Sequence, residues 1–244
     1  MSAPQTSDAA VRWHGVADRA ALREAASRRI LDAAVRAIEQ RGEFLIVLAG
    51  GNTPRGIYQR LRTARTDWSR WQMYFGDERC LPVNDAGRNS RMATDAWLSH
   101  VSIPQDRVHP IPAELGASAA ALAYAKSLRG VGDFDLVLLG LGEDGHTASL
   151  FPGRDIGAAH DAPDALAVLD APKPPPQRVS LSAARLSRAR EVLFMVEGDA
   201  KRTAVARWRD GVPLPAGAIQ PAGGVDVLVE FALLEPLAAS ARVQ

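Results

Sequence analysis

The stretch GLGEDGHTASLFPG, residues 140–153, places Glu143, Asp144 and His146 among glycines directly after the apolar run FDLVLL. An imidazole titrates near neutral pH, and a carboxylate two residues upstream completes the pair that proton transfer needs. Glycines there let a ligand approach the main chain closely. The same stretch also reads as a polar turn with a solvated histidine. A second segment, Gly50-Gly51-Asn52-Thr53-Pro54, joins an apolar run to a helix start. Its backbone N–H groups, the Thr53 hydroxyl and the helix dipole make an anion seat suited to phosphate. It has neither a P-loop lysine nor GxGxxG spacing, so a nucleotide triphosphate or dinucleotide is not indicated. A simple capped turn is the alternative.

Other groups could share this chemistry. Lys201, in EGDAKRTAV, lies near a helix start, where a cation opposes the macrodipole and so answers to an anion or to solvent. Arg79 and Arg91 offer bidentate recognition of phosphate or carboxylate, and read equally as surface or structural arginines. Asp77 and Glu78 offer carboxylates to bind hydroxyls or move a proton, one of them being a structural cap of its loop. His14, His100, His109 and His160 lack a comparable context and read as structural or solvated. Cys80, the single cysteine, rules out an intrachain disulfide framework and a multi-cysteine metal site. It reads as a small buried hydrophobe.

These residues need elements to hold them. Leu22, Ala26, Ile30, Leu31, Ala34, Val35 and Ile38 share one helical face, and Gly42 is placed to end that helix. FLIVLA (44–49) is a strand covered on both faces. Thr53-Pro54 reads as N-cap and first residue of a helix running to Arg62. Trp71–Phe75 is a second strand, and helices are predicted over 89–99 and 115–129. Phe134–Leu139 is a third buried strand. Leu166–Leu169 and Arg178–Leu181 are short strands flanking the proline-rich loop 172–176. Val192–Val196 and Val225–Val229 complete the strands, with helices over 199–209 and 231–234. This alternation implies a mostly parallel α/β sheet with helices on both faces and right-handed crossovers. Ligands of such sheets bind at the carboxyl ends of the strands, where GGNTP, GDER and GLGEDGH all fall.

Composition narrows the partners. Hydrophobic residues make up 47% and charged residues 23% of the 244, as in a globule with a substantial core. A net charge of +1 with scattered Lys and Arg points away from nucleic acid. No apolar run reaches the roughly 18–20 residues of a membrane span, and residues 1–10 carry no signal-peptide pattern. The expectation is one cytoplasmic domain over 1–244 with residues 1–10 as a disordered tail, acting as a monomer.

LAGGNTPRGIYQRL, FGDERCLPVNDAGRNSRMATDAWL, DLVLLGLGEDGHTASLFPG, PKPPPQRVSLS and FMVEGDAKRTAV, in this order, resemble the 6-phosphogluconolactonase family from about Ala17 to Leu234. The GxGxDGHTASLFP segment is the most specific, and PKPPPQR separates the chain from more distant relatives. The resemblance implies a modified doubly wound, Rossmann-like sheet with a smaller accessory sheet. It implies hydrolysis of 6-phospho-D-glucono-1,5-lactone, with no redox cofactor and no obligatory metal. By motif position His146 is the general base and Asp144 its orienting partner. Gly50, Gly51, Asn52, Thr53, Arg79 and Lys201 bind the phosphate end, with Arg91 a further candidate. Asp77 and the backbone of Gly145 join the substrate-binding set.

The chain departs from the family pattern twice. Asn52 stands where Ser is frequent, and Arg88-Asn89-Ser90-Arg91 stands where many members read Ser-Asn-Tyr-Arg. Two other readings share parts of the pattern: a glucosamine-6-phosphate deaminase, which ammonia release would reveal, and a sugar-phosphate-binding module without turnover.

Overall fold

The computed structural model describes residues 10–235. In chain order the strands are β1 (Val11–Val16), β2 (Phe44–Leu48), β3 (Trp71–Phe75), β4 (Asp77–Arg79), β5 (Val108–His109), β6 (Phe134–Leu139), β7 (Ala165–Val168), β8 (Arg178–Leu181), β9 (Ala189–Val196) and β10 (Val225–Glu230). The helices are α1 (Arg19–Arg41), α2 (Asn52–Leu61), α3 (Asn89–Ala96), α4 (Ala117–Ser127), α5 (Ala183–Ser187) and α6 (Arg202–Arg209).

Seven strands form one parallel sheet in the order β1-β10-β9-β6-β2-β3-β5. From β2 the chain moves outward through β3 to β5, then returns to place β6 on the other side of β2. That reversal opens a crevice between the carboxyl ends of β2 and β6, the usual ligand position in such sheets. A second, antiparallel sheet, β4-β8-β7, stands beside it. The continuous apolar runs of β2, β3 and β6 are buried, as strands covered on both faces must be. Around them Phe44, Trp71, Trp68, Trp97 and Tyr58 form one aromatic cluster.

Two tyrosines close the ends of the site-bearing strands. The hydroxyl of Tyr58, from α2, accepts the Ala49 N–H at 3.0 Å and donates to the Ala49 carbonyl at 2.9 Å. The hydroxyl of Tyr124, from α4, does the same at Phe75, at 3.0 and 3.1 Å. Each satisfies the last backbone groups of a strand before the chain turns into its loop, and burial pushes both phenols far above their usual range.

Several boundaries differ from those read in the sequence. The cap of α2 is Gly51, at φ 107°, not Thr53; the helix begins at Asn52 with no side-chain cap. The helix expected to reach residue 99 stops at Ala96, because Trp97 leaves helical geometry at φ −152°. The helix expected from residue 115 starts at Ala117, after a 3₁₀ turn over Ala113–Leu115. Asp199–Lys201 and Phe231–Leu234 are 3₁₀ turns, the former leading into α6.

Strand β1 was not anticipated, because it is a short edge strand with no buried residue and with Arg12, His14 and Gly15 among its six residues. Trp13 packs edge-on against Trp208, while Arg12 and His14 bond Asp226 of β10 at 2.8 and 2.5 Å. Burial alone would raise the Asp226 carboxyl, but Arg12, His14 and Arg29 together hold it at about 2. Residues 1–9, most of the expected tail, lie outside the described residues, whereas the Ala10 carbonyl accepts the Val225 N–H at 3.0 Å. Among the described residues no helix is long and apolar enough to cross a membrane.

Tyr58→Phe strips two buried backbone groups of their partner, which costs about 1–3 kcal/mol per unsatisfied group. The denaturant midpoint is expected to fall by the corresponding amount with an unchanged slope.

Candidate functional site

A cleft of about 410 Å³ lies at the β2/β6 crevice, walled by the loops after β2, β3, β6 and β9 and by Arg178 of the accessory sheet. Gly50, Gly51, Asn52, Thr53, Asp77, Arg79, His146 and Lys201 all line it. Residues from four separated segments of the sequence, with Arg178 from a fifth, thus meet at one sheet edge.

The α2 end leaves backbone donors free on the cleft wall. Pro54 has no N–H to offer, and no side chain caps the helix, so the N–H groups of Asn52 and Thr53 have no helical acceptor. They lie on the cleft wall with the positive end of the helix dipole behind them. Across the cleft, Lys201 is half-buried; burial lowers its ammonium below the usual range, with Glu143 opposing. Arg79 spends one donor on the Gly87 carbonyl at 2.6 Å, while its buried Nε has no partner.

The loop after β6 folds back on itself. Gly142 N–H donates to the His146 carbonyl at 2.7 Å, and Gly145 N–H to the Gly142 carbonyl at 3.0 Å. The Thr147 hydroxyl donates to the Gly140 carbonyl at 2.9 Å. The imidazole lies flat against Gly142, where an added Cβ would stand 2.0 Å from Nδ1. No other residue fits position 142. Ala148, on the cleft wall, takes φ 47°, a left-handed backbone uncommon for a residue with a side chain.

His146 Nδ1 and Asp144 Oδ1 are 2.5 Å apart. An ionised carboxylate only accepts, so the proton of a neutral imidazole sits on Nδ1 and the lone pair on Nε2. Nε2 has no hydrogen-bond partner among the described residues. Burial lowers the His146 pKa, and Asp144 raises it; burial prevails, which favours the neutral ring. For Asp144 burial is the largest single effect and opposes ionisation, but the bond and charge of His146 outweigh it and leave the carboxyl low.

Asp77 ties the start of β4 to the loop that carries His146. Its Oδ2 accepts from Ser149 Oγ at 2.5 Å and its Oδ1 from Asn89 Nδ2 at 2.9 Å. Burial pushes its carboxyl up, with the Ser149 bond opposing.

Three residues read as site candidates sit elsewhere. Arg91 faces away from the cleft and bonds Asp95 at 2.9 Å on the exposed side of α3. Gly145 is not on the cleft wall, and its N–H is consumed within the turn, so it is no backbone donor to a ligand. Glu78 is fully buried and accepts from the N–H groups of Arg79, Asn89 and Ser90, fastening the start of α3. It is the structural member of the acid pair.

Arg19, Asn89, Arg178 and Glu197 line the cleft without having been singled out. Arg178 had a signal, since it ends the PKPPPQR segment. It is buried, stacks on Phe151, and donates to the carbonyls of Lys173 and Pro175 at 2.9 and 3.1 Å. The others have none: an arginine opening a helix or a glutamate closing a strand is ordinary. The remaining histidines stay clear of the cleft; His109, for example, bonds Gln72 at 2.8 Å and stacks on Tyr74. Cys80 is half-buried, and burial raises its thiol, the opposite of what a nucleophile needs. No group of three or more His, Cys, Asp or Glu is placed to hold a metal among the described residues.

Fold and cleft together define a doubly wound α/β protein with an uncapped helix start and an acid–imidazole pair at its topological switch point. Residues 17–228 match the model of the glucosamine-6-phosphate isomerases/6-phosphogluconolactonase family. The chain belongs to that family. It is 37% identical over 230 residues to the 6-phosphogluconolactonase of Mycobacterium leprae, covering 88% of this chain and 92% of that one. It is 38% identical over 226 residues to that of Streptomyces coelicolor, covering 85% of each. The crystal structure of 6-phosphogluconolactonase from Thermotoga maritima superposes with a TM-score of 0.83 at 26% identity, over 91% of this chain and all of that one.

The opposed effects on His146 can be separated. Asp144→Asn removes the charge that raises the imidazole pKa and leaves the burial that lowers it. The His146 ring is therefore expected to titrate below its wild-type midpoint, as followed by NMR of its carbon-bound protons. An unchanged midpoint would show that the Asp144 charge does not reach the ring.

Proposed function

We propose that this protein is a 6-phosphogluconolactonase, opening 6-phospho-D-glucono-1,5-lactone to 6-phosphogluconate as in the oxidative pentose phosphate pathway. The single observation that carries the reading is an imidazole whose Nδ1 is tied to Asp144 at 2.5 Å, on a cleft that also holds an open helix N-terminus, Arg79 and Lys201. Family membership and the names of its relatives support the same substrate.

A lactone is an activated ester, so water suffices as nucleophile. His146 Nε2 takes a proton from water as its oxygen bonds to the lactone carbonyl carbon. When the tetrahedral intermediate collapses, the ring C–O bond breaks and the imidazolium returns the proton to the departing ring oxygen. The acid so formed loses its own proton to solvent. Asp144 holds the ring in the tautomer that leaves Nε2 basic and stabilises the imidazolium between the two transfers. The phosphate end sits on the Asn52 and Thr53 N–H groups and between the cations of Arg79 and Lys201. Binding energy collected there fixes the carbonyl against the water.

His146→Asn keeps size and one polar edge but cannot accept a proton near neutral pH. Turnover above the spontaneous rate is expected to fall about a hundredfold or more, with 6-phosphogluconate binding retained. The assay uses freshly generated lactone with the no-enzyme rate subtracted at each pH. A folded variant that binds product and turns over at the wild-type rate would remove His146 as the base. Because the base works neutral and burial lowers its pKa, the rising limb of the wild-type profile is expected below about pH 6.5, the unperturbed imidazole value.

Lys201→Ala is expected to raise KM with kcat little changed, since the phosphate is held alike in ground and transition states. Unphosphorylated gluconolactone, a poor substrate, is unaffected. Equal losses on both substrates would show that Lys201 does not read the phosphate.

A further inference from the structure

The two halves of the anion seat, the α2 N-terminus and Lys201, come from segments with no ladder between them. One guanidinium touches α2 at Gly56 and, at Glu197, the segment that leads to Lys201. Arg23, on α1, donates from Nη2 to Glu197 Oε1 at 2.7 Å. Glu197 follows β9 directly, lines the cleft four residues before Lys201, and has a side chain only 7% exposed. On its other side the Arg23 guanidinium lies on Gly56 of α2. A Cβ at Gly56 would stand 2.7 Å from Cζ and Nε of Arg23 and 2.8 Å from Nη1. Arg23 Nε and Glu197 Oε2 are buried without hydrogen-bond partners, so the Nη2–Oε1 bond is the one direct tie.

We propose that the Arg23–Glu197 pair is a strut that sets the spacing between the α2 N-terminus and Lys201, and that position 56 is glycine so that the strut can pass. The inference rests on reading the cleft as a sugar-phosphate site. A carboxylate in the wall of such a site would repel the ligand unless neutralised. Arg23 cancels the Glu197 charge, which leaves the cation of Lys201 to the phosphate. Arg23 and Glu197 are positioning residues: they act through the groups that touch substrate.

Two variants break the strut in different ways. Arg23→Met removes the guanidinium and leaves the Glu197 carboxylate unpaired in the wall, and Gly56→Ala displaces the guanidinium while leaving every charge in place. Each is expected to weaken 6-phosphogluconate binding, measured by calorimetry, and to raise KM for the phosphorylated lactone about tenfold, or ~1.4 kcal/mol. Turnover number, gluconate binding and activity on unphosphorylated gluconolactone are expected to hold. Alanine is the better helix former, so Gly56→Ala is not expected to lower Tm. A merely structural role would move Tm and both substrates together. Unchanged 6-phosphogluconate affinity in both variants, or equal losses with and without the phosphate, overturns the strut. If the wild type fails to hydrolyse the phosphorylated lactone, yet binds 6-phosphogluconate more tightly than both variants, the activity is misassigned and the strut stands.

Discussion

The cleft depends on how strands end. A parallel strand that stops at a ligand site must leave its last backbone groups satisfied and the next ones free. At β2 the hydroxyl of Tyr58 meets both polar groups of Ala49, so Gly50 onward can turn outward without leaving buried groups unpaired. Because Tyr58 belongs to α2, the helix whose N–H groups form the anion seat also fixes the strand end that leads into it. Tyr124 repeats the arrangement at β3, ahead of Asp77 and Arg79. Neither hydroxyl does chemistry, yet both decide where the chemistry can be.

Burial works in one direction throughout the cleft: it pushes His146 and Lys201 down and Asp77 up, always toward the uncharged form. Pairing restores charge selectively. Asp144 is kept ionised by His146, whereas Asp77 is bonded on both oxygens by neutral donors. On the proposed reading, a phosphate held by Lys201 in this cleft would be screened less than in water.

The fold was legible wherever a strand is covered on both faces, because FLIVL, WQMYF and FDLVLL are apolar except at Gln72 and Asp135, regardless of what packs on them. It was illegible at the sheet edge: β1 reads as VRWHGV with no buried residue, and only the far partner Asp226 explains its Arg12 and His14. The loops of the site stood out through residue types that carry their own reason, such as Gly142 under the imidazole. The ends of α2 and α3 were misplaced by a few residues, since Thr53-Pro54 looks like a cap and nothing local announces that Trp97 must turn inward. Arg91 and Gly145 had motif position in their favour, but which way an arginine points, and where a backbone N–H is spent, are tertiary facts. Arg23 and Glu197 were invisible for the same reason: each is ordinary until α1, α2 and β9 are brought together.

Strand β1 hydrogen-bonds to β10 alone in its sheet, and Arg12 lies 214 positions from the Asp226 it clasps. The first described strand therefore has nowhere to dock until the last one exists. During synthesis the strands β2, β3 and β6, with the helices between them, can assemble outward from the crevice while β1 and the start of α1 wait. Closing a loop of that length is entropically slow relative to the local βαβ units. The Asp226 cluster, joined by Arg12, His14 and Arg29, thus fastens the first described strand to the last.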